Sequence, residues 1–142
     1  MALPKHLRLE FVTPERSIVH DDVDEVEIPG EDGYFGVLPG HTPLLAALRV
    51  GEMWYRKGNA KQFAFVARGF AEVLPDRVSI LAKVAERAED IDAERAEAAK
   101  RRAEDRLAKP AAVTEIDFER ARIALLRAIT RLQVSRDTRA RN

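Results

Sequence analysis

The chain of 142 residues contains no cysteine. That absence excludes disulfide staples, thiolate metal sites and a cysteine nucleophile, and it leaves the redox compartment open. No stretch approaches the roughly 20 consecutive apolar residues that a membrane-spanning helix needs. The amino terminus, Met1-Ala2-Leu3-Pro4-Lys5-His6-Leu7, lacks the apolar core of a signal peptide. The expectation is a cytosolic chain with no direct membrane insertion. Neither sign of charge is in excess, with 24 basic against 24 acidic residues. A balanced chain is not a generic nucleic-acid binder, whose affinity rests on neutralising phosphates. Aromatic groups for stacking bases are also missing from the arginine-rich carboxy-terminal segment. Partners are expected to be proteins or small molecules, with no nucleic acid.

The length accommodates one compact domain of about 85 residues plus an appendage. Charge divides the same way. Residues 1–85 carry 10 basic and 12 acidic side chains, and residues 86–142 carry 14 and 12. Between Arg120 and Asn142 there are seven arginines and one acid, Asp137. This arm is either a solvated helix face or a surface for an acidic protein or a polyphosphate.

Hydrophobic periodicity changes at the same boundary. Up to about residue 84 apolar residues alternate, as in Leu7, Leu9 and Phe11 against His6, Arg8 and Glu10, the signature of half-buried strands. Further short runs at 35–38, 44–48, 53–55, 63–67, 71–74 and 78–82 are separated by turn residues. Lys57-Gly58-Asn59-Ala60 and Leu74-Pro75-Asp76-Arg77 read as hairpin turns. Such spacing implies a sandwich or flattened barrel. From Ile91 the pattern becomes helical, with Ala96, Ala99, Ala103 and Leu107 on one face, capped by Asp90 or Asp92 and ended by Lys109-Pro110. A second helix opens at Thr114-x-x-Asp117 and carries Phe118, Ala121, Leu125, Ala128 and Leu132 on one stripe. The expected fold is α+β: an amino-terminal β-sandwich over residues 1–86, then an antiparallel two-helix hairpin over 87–142. Alanine stripes bury little area, so the hairpin is expected to be held more weakly than the sandwich.

Residues 29–43 hold four glycines and three prolines, a rigid series of turns suited to docking. The order Gly33-x-Phe35-Gly36-Val37-Leu38-Pro39-Gly40-His41-x-Pro43-Leu44-Leu45 resembles the epsilon subunit of F-type ATP synthase. The resemblance extends through Leu9-x-Phe11-Val12-Thr13-Pro14-Glu15-Arg16, Gly69-Phe70-Ala71-Glu72-Val73, Val78-x-Ile80-Leu81 and Ile91-Asp92-x-x-Arg95-Ala96. It therefore covers nearly the whole chain. Arg68 departs from it, standing where the family usually carries a small residue.

The resemblance implies a non-catalytic rotor subunit at the cytoplasmic face of the bacterial plasma membrane, joining the gamma subunit to the ring of c subunits. It implies stalk or ring contacts at Glu31, Asp32, Tyr34 and His41. An extended hairpin would set Arg120, Arg122, Arg127 and Arg131 against the alpha/beta catalytic head and block hydrolysis. It also implies ATP as a regulatory ligand, held by Ile91, Asp92, Arg95, Arg102, Arg127 and Arg131, with no cofactor required. The plainer reading stays open beside it: Asp92 caps a helix and the arginines are solvated. No Walker-type phosphate loop and no nucleophile, base and orienter set occur, so no catalytic residue is assigned. Asp21-Asp22 and Glu31-Asp32 lack the spaced oxygens of a calcium loop and read as solvated loop charges, so no metal is assigned. His41 reads as a turn or docking histidine. An alternative function is a stand-alone ATP-sensing module.

Overall fold

A computed structural model describes residues 3–109 and 114–141, with side chains described as far as 138. The amino-terminal part is eight strands: β1 Leu7–Val12, β2 Ser17–Val23, β3 Glu25–Gly30, β4 Gly33–Val37, β5 Leu44–Leu48, β6 Gly51–Lys57, β7 Ala60–Leu74 and β8 Arg77–Arg87. A 3-10 turn at Ala88–Asp90 leads to α1 (Ala93–Leu107) and α2 (Glu115–Arg141). The strands run in the order β2-β1-β8-β7-β5-β3-β4, and β6 pairs with both β3 and β7, which folds the sheet over on itself. Pairing is antiparallel except between β1 and β8. The enclosed core takes the alternate residues that periodicity marks, including Leu7, Leu9, Phe11, Val26, Ile28, Val78 and Ile80.

Both expected hairpin turns form, with Lys57 opposite Ala60 and Leu74 opposite Arg77. Gly58 supplies the positive φ that the first requires, at +61°. The acids Asp21 and Asp22 are not loop charges: they lie on β2, where Lys57 Nζ meets Asp21 at 3.0 Å and Arg8 meets Asp22 at 3.3 Å. The Lys57 contact and the Asp22 amide hold the Asp21 carboxyl below its usual range. Glu31 and Asp32 do occupy an exposed turn, between β3 and β4.

Runs 63–67 and 71–74, read as separate strands, are one 15-residue strand. Its middle bends at Arg68 and Gly69 without ending. Arg68 has φ +58° and Gly69 φ +146°. A Cβ on Gly69 would collide with the Leu81 carbonyl, so only glycine fits there. Arg68 enjoys no such exemption, because a left-handed L-residue costs about 1–2 kcal/mol. Glycine's extra chain entropy offsets roughly 0.5–1 kcal/mol of that. Arg68→Gly is therefore expected to stabilise the free chain by about 0.5–1 kcal/mol, raising Tm by about 2–4 °C in a thermal melt. A lower Tm would show that the arginine is making a compensating contact.

Before the bend, β7 is buried on both faces. Ala64 and Val66 enter the main core, while Phe63, Phe65 and Ala67 join Ala88 of the 3-10 turn and Val134 of α2 in a second cluster. This platform seats the hairpin. Asp92 caps α1, its carboxylate accepting from the Arg95 amide at 3.0 Å. Thr114 Oγ1 caps α2 by accepting from the Asp117 amide at 3.2 Å, and donates to the Asp117 carboxylate at 2.9 Å. The helix α1 ends at Leu107, and Pro110 lies outside the described residues. Ala96 and Ala103 are buried in α1, as are Ala121, Ala128 and Leu132 in α2. Phe118 departs from the expected stripe and is exposed, since it lies in the first turn of α2.

Candidate functional site

The start of α1, the later turns of α2 and the rim of the sandwich enclose a cavity of about 760 Å³. Asp92, Arg95 and Arg102 enter from α1 and Arg131 from α2, so the structure brings together four of the six residues expected to hold a nucleotide. Ile91 does not line the cavity and packs instead against the Phe63–Phe65 cluster. Arg127 is also absent from the lining, and its Nε is buried with no hydrogen-bond partner. The sandwich contributes Arg16, Lys83 and Glu86, which sequence reasoning did not assign. They sit 45 or more positions from Arg131, and only the fold juxtaposes them.

The strongest polar contact across this boundary is Arg131 Nε donating to Glu86 Oε1 at 2.6 Å, with both side chains 27% exposed. The guanidinium also lies over the Phe65 ring, 4.3 Å from its centroid. Charge-assisted bonds at a half-buried site outweigh ion pairs in open water, and arginine combines them with ring stacking. Arg131 thus fastens α2 to β7 and β8. It lines the cavity as well, and with Nε on Glu86 its terminal nitrogens remain available to donate to a polyphosphate there. Arg122 faces outward and is paired with Glu119 at 3.0 Å, a bond that raises its pKa. Arg120 is exposed. The four arginines expected to meet the catalytic head therefore divide, with Arg120 and Arg122 outside and Arg127 and Arg131 turned inward.

The four expected stalk contacts also separate. Glu31 and Asp32 line a cleft at the end of the sandwich with Leu44 and Leu45. His41 Nδ1 is 2.6 Å from the Thr42 carbonyl, within its own turn. Tyr34 lies elsewhere, beside Leu126, Thr130 and Gln133 of α2. Its hydroxyl accepts from the Glu52 amide at 3.1 Å, and the Arg49 guanidinium stands 5.1 Å from its ring.

A further surface escaped the sequence assignment. On the outer face of β1, β8, β7 and β5, Val12, Leu81, Phe70 and Ala47 form an apolar groove. Phe70 is 57% exposed and Leu81 60%, with Leu45 beyond them at 71%. Large apolar side chains this open and this contiguous mark an interaction site rather than scattered surface residues. Both residues stand in the strings that carry the family resemblance, but alternation alone assigns them only to a solvent face. Among the described residues no cluster of three or more histidines and carboxylates is placed to hold a metal ion, and no helix is long and apolar enough to cross a membrane.

The chain is thus a β-sandwich with an open apolar face, joined to a fastened helical hairpin, and comparison with known proteins identifies its family. Residues 6–88 match the family described as the ATP synthase delta/epsilon chain beta-sandwich domain, and residues 89–136 match its long alpha-helix domain. The chain is 47% identical over 136 residues to the ATP synthase epsilon chain of Syntrophobacter fumaroxidans, covering 96% of this chain and all of that one. It is 46% identical over 131 residues to that of Bacillus velezensis, covering 92% and 98%. Among solved structures, a chain of the Euglena gracilis mitochondrial ATP synthase superposes with a TM-score of 0.80 at 26% identity, covering 92% of this chain and 81% of that one. A chain from the central stalk and c-ring of the Tetrahymena thermophila enzyme shares the fold, with a TM-score of 0.53 at 11% identity over 63% and 72% of the two chains. The chain belongs to the ATP synthase epsilon-chain family, whose members are non-catalytic subunits of that complex.

Proposed function

We propose that this chain is a rotor subunit in the central stalk of a proton-translocating F-type ATP synthase, and that it both couples the stalk to the ring and restrains ATP hydrolysis. The observation that carries the docking role is the exposed Phe70, Leu81 and Leu45 face. At roughly 1.5–3 kcal/mol for a fully buried large apolar side chain, covering it supplies a stable grip on the gamma subunit. The turns bearing Glu31, Asp32 and His41, with the exposed Tyr34 at the start of β4, are the proposed contacts to the c-ring. Within that complex the chain would sit peripherally, on the cytoplasmic face of the bacterial plasma membrane.

Control rests on the hairpin. In the compact arrangement Arg131 is fastened to Glu86. Once released, α2 presents Arg120, Arg122, Arg127 and Arg131 as one cationic series for an acidic surface in the alpha/beta head. ATP acts as a regulatory ligand in the cavity between the helices, with Arg95, Arg102 and Arg131 on its phosphates. It favours the compact form only by binding that form better than the extended one. The cap role of Asp92 does not compete, because a carboxylate retains a second oxygen for an exocyclic amine.

Titration of ATP into the isolated chain followed by calorimetry is expected to give saturable heat, lost in Arg102→Ala. No heat at millimolar ATP would remove the nucleotide site and leave the docking role standing. A stand-alone ATP sensor would keep the same cavity but would have no use for the open apolar face. Co-purification with the gamma subunit distinguishes the two.

A further inference from the structure

Arg68 is held in a costly conformation at the edge of the apolar groove, and a second cation faces it. The pairs Ala67–Val84 and Gly69–Ala82 bracket Arg68 and Lys83, which places the two opposite each other across β7 and β8. Like charges opposed across antiparallel strands are destabilising. Both side chains line the groove beside Phe70, Leu81, Val12 and Ala47, and no acidic residue does. Among the described residues neither forms a salt bridge that would relieve the repulsion. The backbone at Arg68 is also left-handed, at φ +58°. Strain and unrelieved repulsion at one exposed position point to a contact that the isolated chain does not contain.

We propose that Arg68 and Lys83 form a two-cation clamp for a carboxylate on the stalk partner, seated at one end of an apolar ridge that fills the groove. The partner segment is thereby specified: apolar side chains over Phe70 and Leu81, with an aspartate or glutamate beside the bend of β7. Charge on the rest of the face sets its direction. Glu72 lies beyond Phe70 on β7 and Glu10 beyond Val12 on β1, both on this outer face. A ridge bound with its acidic end over Arg68 and Lys83 avoids them, and the reversed orientation would set a carboxylate against carboxylates. Guanidinium suits this task because its fork binds a carboxylate with two parallel hydrogen bonds. The inference rests on the docking reading of this face and adds the partner's chemistry and polarity.

The test measures binding of the full-length chain to a cognate complex from which this subunit has been removed, at about 50 and 300 mM salt. Arg68→Gly is expected to weaken binding about tenfold at low salt, and Arg68→Glu more, with both deficits shrinking at high salt where exposed charges are screened. Arg68→Gly should at the same time melt higher as a free chain, which excludes misfolding as the cause. Leu81→Asp serves as the control for the face itself and is expected to prevent binding at both salt concentrations. If Leu81→Asp abolishes binding while both Arg68 variants bind as tightly as the unaltered chain, the clamp is wrong and the docking face survives. If Leu81→Asp binds normally, the docking face fails and takes the clamp with it. Self-association of the free chain that Leu81→Asp disrupts would assign the groove to a second copy and overturn the proposal.

Discussion

Truncation after Arg87 is expected to raise ATP hydrolysis by the assembled complex at least about fivefold, the low end of typical coupling between sites, while assembly continues. The truncated chain keeps all eight strands and the main core, to which neither α1 nor α2 contributes. What it loses is the second cluster, where Val134 covers Phe63, Phe65 and Ala67. Exposing two phenylalanines lowers solubility, so Phe63→Ser belongs in the experiment as a matched variant. The comparison is ATPase activity of the complex reconstituted with full-length and truncated chains. Equal rates would mean that the hairpin exerts no restraint on this enzyme, and loss of assembly would mean that the helices, not the sandwich, hold the stalk.

Placing a charge on the apolar face has the second large effect. Phe70→Asp with Leu81→Asp is expected to weaken incorporation into the complex by at least about a hundredfold. Each side chain contributes roughly 1.5–3 kcal/mol when buried, and about 2.7 kcal/mol corresponds to that factor. The free chain should melt unchanged, because both residues are already more than half exposed. Normal incorporation would place the docking surface elsewhere. A depressed Tm would assign the two side chains a structural role in the chain itself.

The strands were legible in the sequence wherever one face is buried and the other wet, because alternation records that difference. Leu7 to Phe11 and Val78 to Ala82 show it, and their buried members are the ones that alternation selects. The rule reached its limit in β7. Phe63 to Ala67 is a continuous apolar run because β7 is covered on both sides there, by the core and by Val134. Gly69 looked like a break between strands, but the Leu81 carbonyl approaches the chain too closely there for any side chain. The α2 stripe was legible from Ala121 to Leu132 and incomplete after it. Val134 is fully buried on a second face, against the sheet, which a single helical stripe cannot reveal.

The site was half legible for a related reason. Of the six residues that the family resemblance implies, Asp92, Arg95, Arg102 and Arg131 line the cavity, while Ile91 and Arg127 do not. Lys83 and Glu86 of β8 and Arg16 of the β1–β2 turn complete the cavity, and nothing in their local spacing announces it. Tyr34, which the family resemblance groups with Glu31, Asp32 and His41, shares a cleft with Leu126, Thr130 and Gln133 of α2, and Arg49 covers its ring. Arg68 stood out as an anomaly, and the fold supplies its meaning through Lys83 opposite and the open groove beside it.

The central claim is a durable sandwich carrying a helical pair that opens more readily and is held closed chiefly by Arg131. Amide hydrogen exchange on the full-length chain tests it directly. Residues 91–135 are expected to open at lower free energy than residues 7–82, with the gap widened in Arg131→Ala and narrowed by millimolar ATP. Protection of α2 equal to that of β7 and β8, unaltered by either change, would contradict the account.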